Sequence, residues 1–418
     1  MAGPLIGSDN KSDVSHTYQG VGVKRHKLIF VVGARPNFMK VAPLLKLLRS
    51  DRHFTSILVH TGQHYDDSLS GHFFHDLELP APDHNLSVQS GSHAQQTAEV
   101  MKRFEPVVMA EQPDGVIVVG DVNSTMAAAV VAVKLQVPVF HIEAGLRSFD
   151  KSMPEEINRI ITDGISDLLL VSEESGRKNL LNEGIPHRRI RMVGNLMIDS
   201  LRRSLAAARQ SDILQRLRID SRSFALATLH RPANVDQPER LDEILGVFRE
   251  ISEAIPLVFP VHPRTRASLD HIHFARSANI KLLEPLGYLD FLCLMSNSSV
   301  VLTDSGGIQE ETTALGIPCL TLRDNTERPV TIEEGTNILA GTHRGTILAA
   351  WNTIRVRPKA GHLPRLWDGN AAERCLAVFR DYFGVRSKLS DLPGCSLAEY
   401  KSTKSRGAGK FTQVSAGD

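Results

Sequence analysis

Short apolar runs alternate along this chain with stretches in which apolar residues recur at helical spacing. From Lys27 a run rich in Ile and Val ends at Gly33 and gives way to NFMKVAPLLKLLRS, a pattern typical of strand, loop and helix. The alternation returns in TSILVHTG, DGVIVVGD, VPVFHIEAG, DLLLVS and RMVGN, and again in SFALATLH, PLVFPVH, IKLLEPL, SVVLTDS and IPCLTLRD. Repeated β-α units with apolar strands predict parallel, doubly wound sheets.

The length of 418 residues favours two cores over one. We therefore predict an α/β protein with two Rossmann-like, doubly wound domains that face a central cleft. The expected divisions are a disordered tail at 1–26, an N-terminal domain at 27–197, a C-terminal nucleotide-binding domain at 198–366, a helix at 367–385 that packs back on the N-terminal domain, and a disordered tail at 386–418.

Composition narrows the class of protein. With 42% hydrophobic residues, 23% charged residues and a net charge of +1, the chain lacks the long-range field expected of a protein that binds nucleic acid or membrane surfaces. The four cysteines include no C-x-x-C pair, which argues against a zinc site or disulfide framework and favours a reducing cytoplasm. The first 25 or so residues lack a secretory apolar run, and no later run reaches the roughly 18 to 20 apolar residues of a membrane span.

The ends of the strands are where chemistry is expected, because ligands of open parallel sheets bind beyond the carboxyl ends. After the first strand, GARPNFMK offers Gly33 for a tight turn, Arg35 as a fork for phosphate, and Lys40 a turn into the helix. An ordinary surface pair is the alternative for Arg35. The missing G-x-G-x-x-G pattern argues against NAD, and we expect no cofactor.

Two further strands of the first half end in acids. VVGDVNST places Asp121 at a strand tip, where a carboxylate can accept from a sugar hydroxyl or transfer a proton. Asn123, Ser124 and Thr125 follow at the opening of a helix, where the more common role of Ser and Thr is that of N-caps. HIEAGLRS then supplies His141 and Glu143 at the next strand end.

The segment MPEEINR places Glu155, Glu156 and Arg159 in the first turns of a helix. One of the two glutamates can have a purely structural role, because a negative charge in the first turn stabilises the helix dipole. Glu155 and Arg159, four residues apart, can also form an ordinary ion pair on the helix surface. In a doubly wound sheet, however, Asp121, Glu143 and Glu155 converge on one cleft. Crowding of three carboxylates is expected to raise at least one of their pKa values and so to create a usable acid or base.

The second half repeats the pattern with basic residues. TLHRP sets His230 at a strand end, and VFPVHPRTR does likewise with His262 and Arg264. In LTDSGGIQEET a strand ends at Asp304, and glycines open a helix whose backbone N–H groups can hold a diphosphate. Glu310 or Glu311 can then accept from both ribose hydroxyls. A plain glycine turn with a helix cap is the structural alternative.

Together these segments resemble the non-hydrolysing UDP-N-acetylglucosamine 2-epimerases. The shared motifs occur in the family's order over roughly residues 27–341, and they are GARPNFMK, TGQH, GDVNST, HIEAGLRS, MPEEINR, VGN, TLHRPAN, TDSGGIQEE and LRDNTERP. The resemblance implies a two-domain fold of the GT-B type, a homodimer, a UDP-N-acetylhexosamine substrate, and neither nicotinamide nor metal.

The resemblance also implies roles for individual residues. The proton-transfer set is expected to be Asp121, Glu143 and Glu155, with His230 near the diphosphate. On the same basis, the residues expected to bind substrate are Arg35 and Lys40 of the first loop, the phosphate-holding Ser305, Gly306 and Gly307, and Glu311 at the ribose. Their positions at a helix start and at strand ends add Arg159, His262 and Arg264 to the expected binding residues.

The family's chemistry explains why such a set is needed. The hydrogen on carbon 2 is not acidic enough to exchange directly, so the family removes it while expelling UDP, which leaves a 2-acetamidoglucal. UDP then adds back with a proton delivered to the opposite face, and the product is expected to serve polysaccharide synthesis. A base, an acid, cationic support for the diphosphate and exclusion of water are all required.

Departures from the family pattern leave alternatives open. After Gln63 and His64 the chain differs from the segment that binds an activating substrate molecule in some bacterial members, and Asn37 and Phe38 replace common residues of the first loop. The substrate can therefore be a modified UDP-hexosamine, such as a 2,3-diacetamido uronic acid. A hydrolysing epimerase, a glycosyltransferase of the same fold and a non-catalytic nucleotide-sugar-binding protein are the competing hypotheses.

Overall fold

The computed structural model describes residues 25–62, 79–272 and 278–385. The two predicted tails, apart from Arg25 and His26, and the segment after Gly62 lie outside these residues.

The first domain is built on a parallel sheet in the strand order β3-β2-β1-β4-β5-β6-β7. Its strands run in the same direction because helices carry the chain back between them. The strands are β1 His26–Val32, β2 Phe54–His60, β3 His84–Asn85, β4 Gly115–Val119, β5 Val139–Ile142, β6 Leu168–Val171 and β7 Ile190–Met192. The helices are α1 Arg35–Ser50, α2 His93–Glu111, α3 Asn123–Lys134, α4 Pro154–Ile165 and α5 Glu174–Asn182.

The second domain repeats this topology in a parallel sheet of order β10-β9-β8-β11-β12-β13. In each sheet the chain adds strands outward on one side of the first strand, β1 or β8, and then crosses to add the remaining strands on the other side. This is the doubly wound arrangement predicted from the sequence. The strands are β8 Ala225–Thr228, β9 Leu257–Pro260, β10 Ile280–Leu283, β11 Val300–Thr303, β12 Cys319–Thr321 and β13 Asn337–Leu339.

Helices α6 Leu196–Ala208 and α7 Ile213–Leu217 join the two domains. The helices of the second domain are α8 Pro232–Val235, α9 Pro238–Ala254, α10 Pro263–Ile272, α11 Tyr288–Asn297, α12 Gly306–Leu315, α13 Val330–Glu333 and α14 Arg344–Val356, and α15 Ala371–Tyr382 follows them.

Two edge strands were not predicted. The strand β3 has two residues, His84 and Asn85, and β13 has three, so neither forms an apolar run long enough to be recognised. Conversely, His26 was assigned to the tail but begins β1, where it pairs with Phe54 of β2. These differences leave the carboxyl ends of the central strands unchanged.

The helices α6 and α15 connect the domains. Helix α6 packs against α1 of the first domain and against α11 and α12 of the second. Helix α15 returns to the first domain, where Phe379 stacks on Phe140 of β5 with ring centroids 5.4 Å apart. The N-terminus of α15 is fixed by the buried Asp199 of α6, whose carboxylate accepts from the backbone N–H groups of Ala371 at 3.1 Å and Ala372 at 2.7 Å. The relative position of the domains therefore depends on contacts made by both helices.

None of the helices in the described ranges combines the length and apolar character needed to span a membrane.

Candidate active site

The carboxyl ends of β4 and β5 hold the first part of the site. Asp121 follows β4 after Gly120, and Glu143 follows β5. Glu143 has φ 68°, a left-handed conformation that a residue with a side chain seldom adopts. Strained backbone of this kind occurs at sites where the position of a side chain matters.

Glu143 is buried between two cations. Its carboxylate pairs with Lys40 of α1, and its Oε1 lies 3.1 Å from Nη2 of Arg328, which belongs to the second domain. Burial alone would raise the pKa of Glu143, but Lys40 and Arg328 outweigh it and hold the pKa below its ordinary value. The expected rise from carboxylate crowding is therefore wrong for Glu143, because cations lie beside it.

Asp121 is paired with Arg159 of α4. The guanidinium of Arg159 is buried and also contacts Glu156, with Nη2 2.8 Å from Oε2. Glu156 accepts in turn from the backbone N–H groups of Ser148 and Phe149, both at 3.0 Å. Burial opposes ionisation of Glu156, yet these bonds and Arg159 lower its pKa. Arg159 is thus held rigidly against Asp121.

Glu155 lies in the first turn of α4 and is exposed. The predicted alternative of a Glu155–Arg159 surface pair is wrong, because Arg159 pairs with Asp121 and Glu156. Residues four apart share one face of a helix, so Glu155 lies one turn before Arg159 on the side that contacts Asp121. Of the two adjacent glutamates, Glu156 is the buried structural residue and Glu155 is the one open to a ligand.

The turn that carries Asp121 is fixed from behind by His141. Its Nδ1 is 2.7 Å from Asp163 Oδ1, and its Nε2 is 2.8 Å from the carbonyl oxygen of Gly120, which has φ 66°. His141 is fully buried, so its place at a strand end serves to position the loop rather than to meet substrate.

The polar residues that open α3 do not cap it, contrary to one alternative from the sequence. Val122 is the N-cap residue, and Ser124 instead lies 2.8 Å from Thr61 between their hydroxyl oxygens. A Cβ on Gly33 would come within 2.4 Å of Ser124 Oγ. Glycine is therefore needed at position 33, where the loop after β1 approaches the start of α3 closely.

In the second domain, α12 begins at Gly306 with Ser305 as its N-cap residue. A Cβ on Gly306 would lie 2.5 Å from Nη1 of Arg328, and one on Gly307 would lie 3.2 Å from Cε of Met197. Backbone N–H groups at a helix start are free of intrahelical partners and attract anions. This helix start lies directly beside the guanidinium that contacts Glu143.

Arg328 joins the two halves of the site and was not assigned a role from the sequence. Besides Glu143, it contacts Glu327 at 2.6 Å and Glu310 at 2.9 Å. Burial would lower its pKa, but these carboxylates raise it, so the guanidinium remains charged. The only signal in the sequence was the motif LRDNTERP, which does not reveal a contact across 185 positions.

The adjacent residues Glu310 and Glu311 have different environments. Glu310 accepts from Asn195 Nδ2 at 2.9 Å, and burial together with Glu143 raises its pKa despite Arg328. Glu311 accepts from the hydroxyl of Tyr288 at 2.8 Å. Glu310 is therefore committed to the contact between domains, whereas Glu311 is held within the second domain by Tyr288.

His230 follows β8, and its Nδ1 lies 2.9 Å from Oδ1 of the fully buried Asp304. The ring of His262, after β9, is 5.7 Å from that of His230 between centroids. Arg264, in contrast, forms an exposed ion pair with Asp236 at 2.6 Å. The side chain of Arg35 and the segment after Gly62 lie outside the described residues.

Glu173 is a further carboxylic acid of the cluster that the sequence did not single out. It follows β6 and is buried; one carboxyl oxygen accepts from Ser175, and the other has no hydrogen-bond partner among the described residues. Burial raises the pKa of Glu173 to about 8; Glu310 adds to the rise and the Ser175 hydrogen bond opposes it. The site therefore contains an acid that keeps its proton at neutral pH.

The two facing domains and the charged site between them define an α/β protein of the GT-B type. The sequence model of the UDP-N-acetylglucosamine 2-epimerases matches residues 46–380, so this chain belongs to that family and is an enzyme of the epimerase class.

Individual relatives agree with this assignment. The chain is 44% identical to a UDP-N-acetylglucosamine 2-epimerase homolog of Methanococcus maripaludis, over 85% of this chain and 99% of the relative. It is 41% identical to the UDP-2,3-diacetamido-2,3-dideoxy-D-glucuronate 2-epimerase of Pseudomonas aeruginosa, over 78% and 92%. The crystal structure of Methanocaldococcus jannaschii UDP-GlcNAc 2-epimerase in complex with UDP-GlcNAc and UDP superposes with a TM-score of 0.79 at 39% identity, over 85% and 99%.

Proposed function

We propose that this enzyme interconverts UDP-N-acetylglucosamine and UDP-N-acetylmannosamine without net hydrolysis, in the cytoplasm, to supply a precursor of polysaccharide synthesis. The observation that carries the proposal is the position of Arg328, which pairs with Glu143 and lies so close to Gly306 at the start of α12 that a Cβ there would be 2.5 Å from its Nη1. This contact brings acid–base groups of one domain next to the anion-binding helix start of the other. A nucleotide sugar is complementary to this arrangement, because its anionic diphosphate can bind at the helix start while its sugar lies against the carboxylates.

The chemistry follows from this arrangement. A carboxylate among Asp121, Glu143 and Glu155 takes the proton from carbon 2, the new electron pair forms the C1–C2 double bond, and the electrons of the C1–O bond leave with UDP. The reverse step adds UDP to C1 and a proton to C2 from the opposite face. Lys40, Arg159 and Arg328 are buried cations near these carboxylates, and His230 is assigned to the diphosphate.

The proposed binding residues divide between the same two parts. Lys40 and Arg159 belong to the sugar side. Arg35 is assigned to phosphate as a fork, and Ser305, Gly306 and Gly307 hold phosphate through backbone N–H groups. Glu311 clamps the ribose. His262 is assigned to the nucleotide side because its ring lies close to that of His230. Arg264 has the weakest structural support among the proposed binding residues, because it already pairs with Asp236 on the surface.

A second candidate substrate is a UDP-2,3-diacetamido uronic acid. The relative from Pseudomonas aeruginosa is named for that substrate and is as similar to this chain, at 41% identity, as the UDP-N-acetylglucosamine 2-epimerase of Methanocaldococcus jannaschii. Both substrates epimerise at carbon 2 and require the same acid and base.

Proton NMR in heavy water tests the reaction and its route together. With UDP-N-acetylglucosamine, we expect UDP-N-acetylmannosamine to appear with deuterium at carbon 2, because the proton removed exchanges with solvent before one is returned. Release of UDP and free N-acetylmannosamine would instead identify a hydrolysing enzyme. If this substrate stays unchanged and unlabelled while the diacetamido uronic acid gains deuterium, the second candidate replaces the first.

We also propose that the enzyme is a homodimer that pairs through the outer face of α4. This face carries Ile157, Ile160 and Ile161, which are 37–39% exposed and lie at the spacing of one helical stripe. The preceding loop exposes Phe149 as well. A contiguous apolar surface of this kind is typical of a protein interface, and the opposite face of α4 holds Arg159 in the site.

The dimer is tested by light scattering of the purified protein. We expect twice the chain mass for the unmodified enzyme and a shift toward the single-chain mass for Ile160→Lys, because a charge on the apolar stripe would be buried at the interface. Val356→Lys is the matched control, since Val356 is 87% exposed on α14. An unchanged mass for Ile160→Lys would exclude this face as the interface.

A further inference from the structure

The environment of His230 differs on its two sides. The side chain is 40% exposed at the carboxyl end of β8, while Asp304 behind it is completely buried. Asp304 follows β11, which pairs with β8, so the two residues extend from neighbouring strand ends. The carboxylate therefore reaches the ring from the protein interior and leaves the other edge of the ring toward solvent.

Asp304 is surrounded by donors. Its carboxylate accepts from the backbone N–H groups of His230 at 3.1 Å and Arg231 at 3.0 Å, and from Nδ2 of Asn234 at 3.1 Å. Burial would raise the pKa of Asp304, but the hydrogen bond from the His230 ring and the backbone donors lower it. An ionised carboxylate can only accept, so the ring nitrogen facing it must carry a proton.

We infer that Asp304 is a positioning residue that keeps the proton of the His230 ring on Nδ1 and presents Nε2 to the diphosphate of the UDP-sugar. Which ring nitrogen is protonated in a histidine is set by the hydrogen bond that the other nitrogen makes. With Nδ1–H bonded to Asp304, Nε2 is the nitrogen that can carry a second proton and donate it in a hydrogen bond to the departing UDP oxygen as that oxygen gains negative charge. The identity of the ligand rests on the proposed function, whereas the position of the proton does not.

A purely structural role is the competing explanation, because Asp304 also anchors the loop that begins α8. Both roles would make Asp304 sensitive to substitution. The two roles differ in whether substitution of Asp304 lowers activity by changing the His230 imidazole or by changing the loop. Two measurements separate them.

The first measurement is nitrogen NMR of histidine-labelled, substrate-free enzyme at alkaline pH, with the His230 signals identified by their loss in His230→Gln. We expect the Nδ1–H tautomer in the unmodified enzyme and in Asn234→Ala, which removes a different partner of Asp304. In Asp304→Asn the amide can donate to Nδ1, so the proton should move to Nε2. Addition of UDP should shift the Nε2 signal of the unmodified enzyme. The same tautomer in Asp304→Asn, or no response of Nε2 to UDP, would overturn the inference.

The second measurement is a double-mutant cycle on epimerisation. We expect Asp304→Asn to lower kcat by about a hundredfold or more, the scale of lost acid–base assistance, while KM stays within about threefold. In the His230→Gln background the same substitution should cost less than about threefold, because residues that act as a unit are not additive. An equal loss in both backgrounds would show that Asp304 acts on the loop and not through His230.

Discussion

Replacing Glu143 with glutamine is expected to reduce turnover by at least about a hundredfold, which is the usual scale for loss of a proton-transfer group. Glutamine keeps the shape of the side chain but can neither take a proton nor neutralise its two cationic neighbours. Lys40 and Arg328 hold the pKa of Glu143 below its ordinary value despite burial, so the unmodified residue is a carboxylate at neutral pH. It is therefore ready to accept the proton of carbon 2 or to balance the cations that face the diphosphate.

The measurement is the initial rate of epimerisation, with UDP affinity and the melting temperature recorded for each variant to exclude misfolding. Asp121→Asn and Glu155→Gln are expected to lose turnover on the same scale. Glu250→Gln is the control, because Glu250 forms an exposed pair with Arg344 at 2.7 Å on the surface of the second domain. Near-normal turnover in any of the three site variants would remove that residue from the proton-transfer set.

The main features of the fold could be predicted because each central strand is an uninterrupted apolar run. Such runs mark strands that are buried on both faces, and the polar residue that ends a run marks the edge where ligands bind. Asp121, Glu143 and His230 were found in this way, and the structure places each of them after a strand of the doubly wound sheets.

The pairing of charges could not be predicted in the same way. Glu155 and Glu156 are neighbours in the sequence but are about 100° apart around a helix, so only the orientation of α4 decides which is buried. Arg328 reaches Glu143 across the boundary between domains. A single sequence shows which groups can pair, whereas the packing of helices and domains determines which groups do.

These pairings change the chemistry expected of the site. Crowded carboxylates were expected to raise the pKa of a member of the set Asp121, Glu143 and Glu155. In the structure the pKa of Glu143 is lowered by its cations, and raised pKa values occur on two buried acids outside that set, Glu310 and Glu173. Burial therefore favours a retained proton on acids that lie close to the ionised carboxylate of Glu143.

Replacing Glu173 with glutamine is expected to stabilise the enzyme at alkaline pH and to have little effect near pH 4. In the unfolded chain this residue loses its proton around pH 4.5, whereas in the folded protein it keeps the proton up to about pH 8. The folded state therefore loses stability relative to the unfolded state as pH rises from about 4.5 to about 8. The loss is at most about 5 kcal/mol, since each pKa unit corresponds to about 1.4 kcal/mol. Glutamine is neutral in both states and removes this loss.

Thermal unfolding of both proteins across this pH range provides the measurement. The melting temperature of Glu173→Gln should equal that of the unmodified enzyme near pH 4 and exceed it by at least about 5 °C at pH 8.5. Glu174→Gln is the matched control, because the neighbouring Glu174 is exposed and pairs with Arg177 on the surface of α5. A constant difference in melting temperature across the range would mean that Glu173 is already ionised in the folded protein. Glu310 would then be left as the buried acid of the cluster whose pKa is raised.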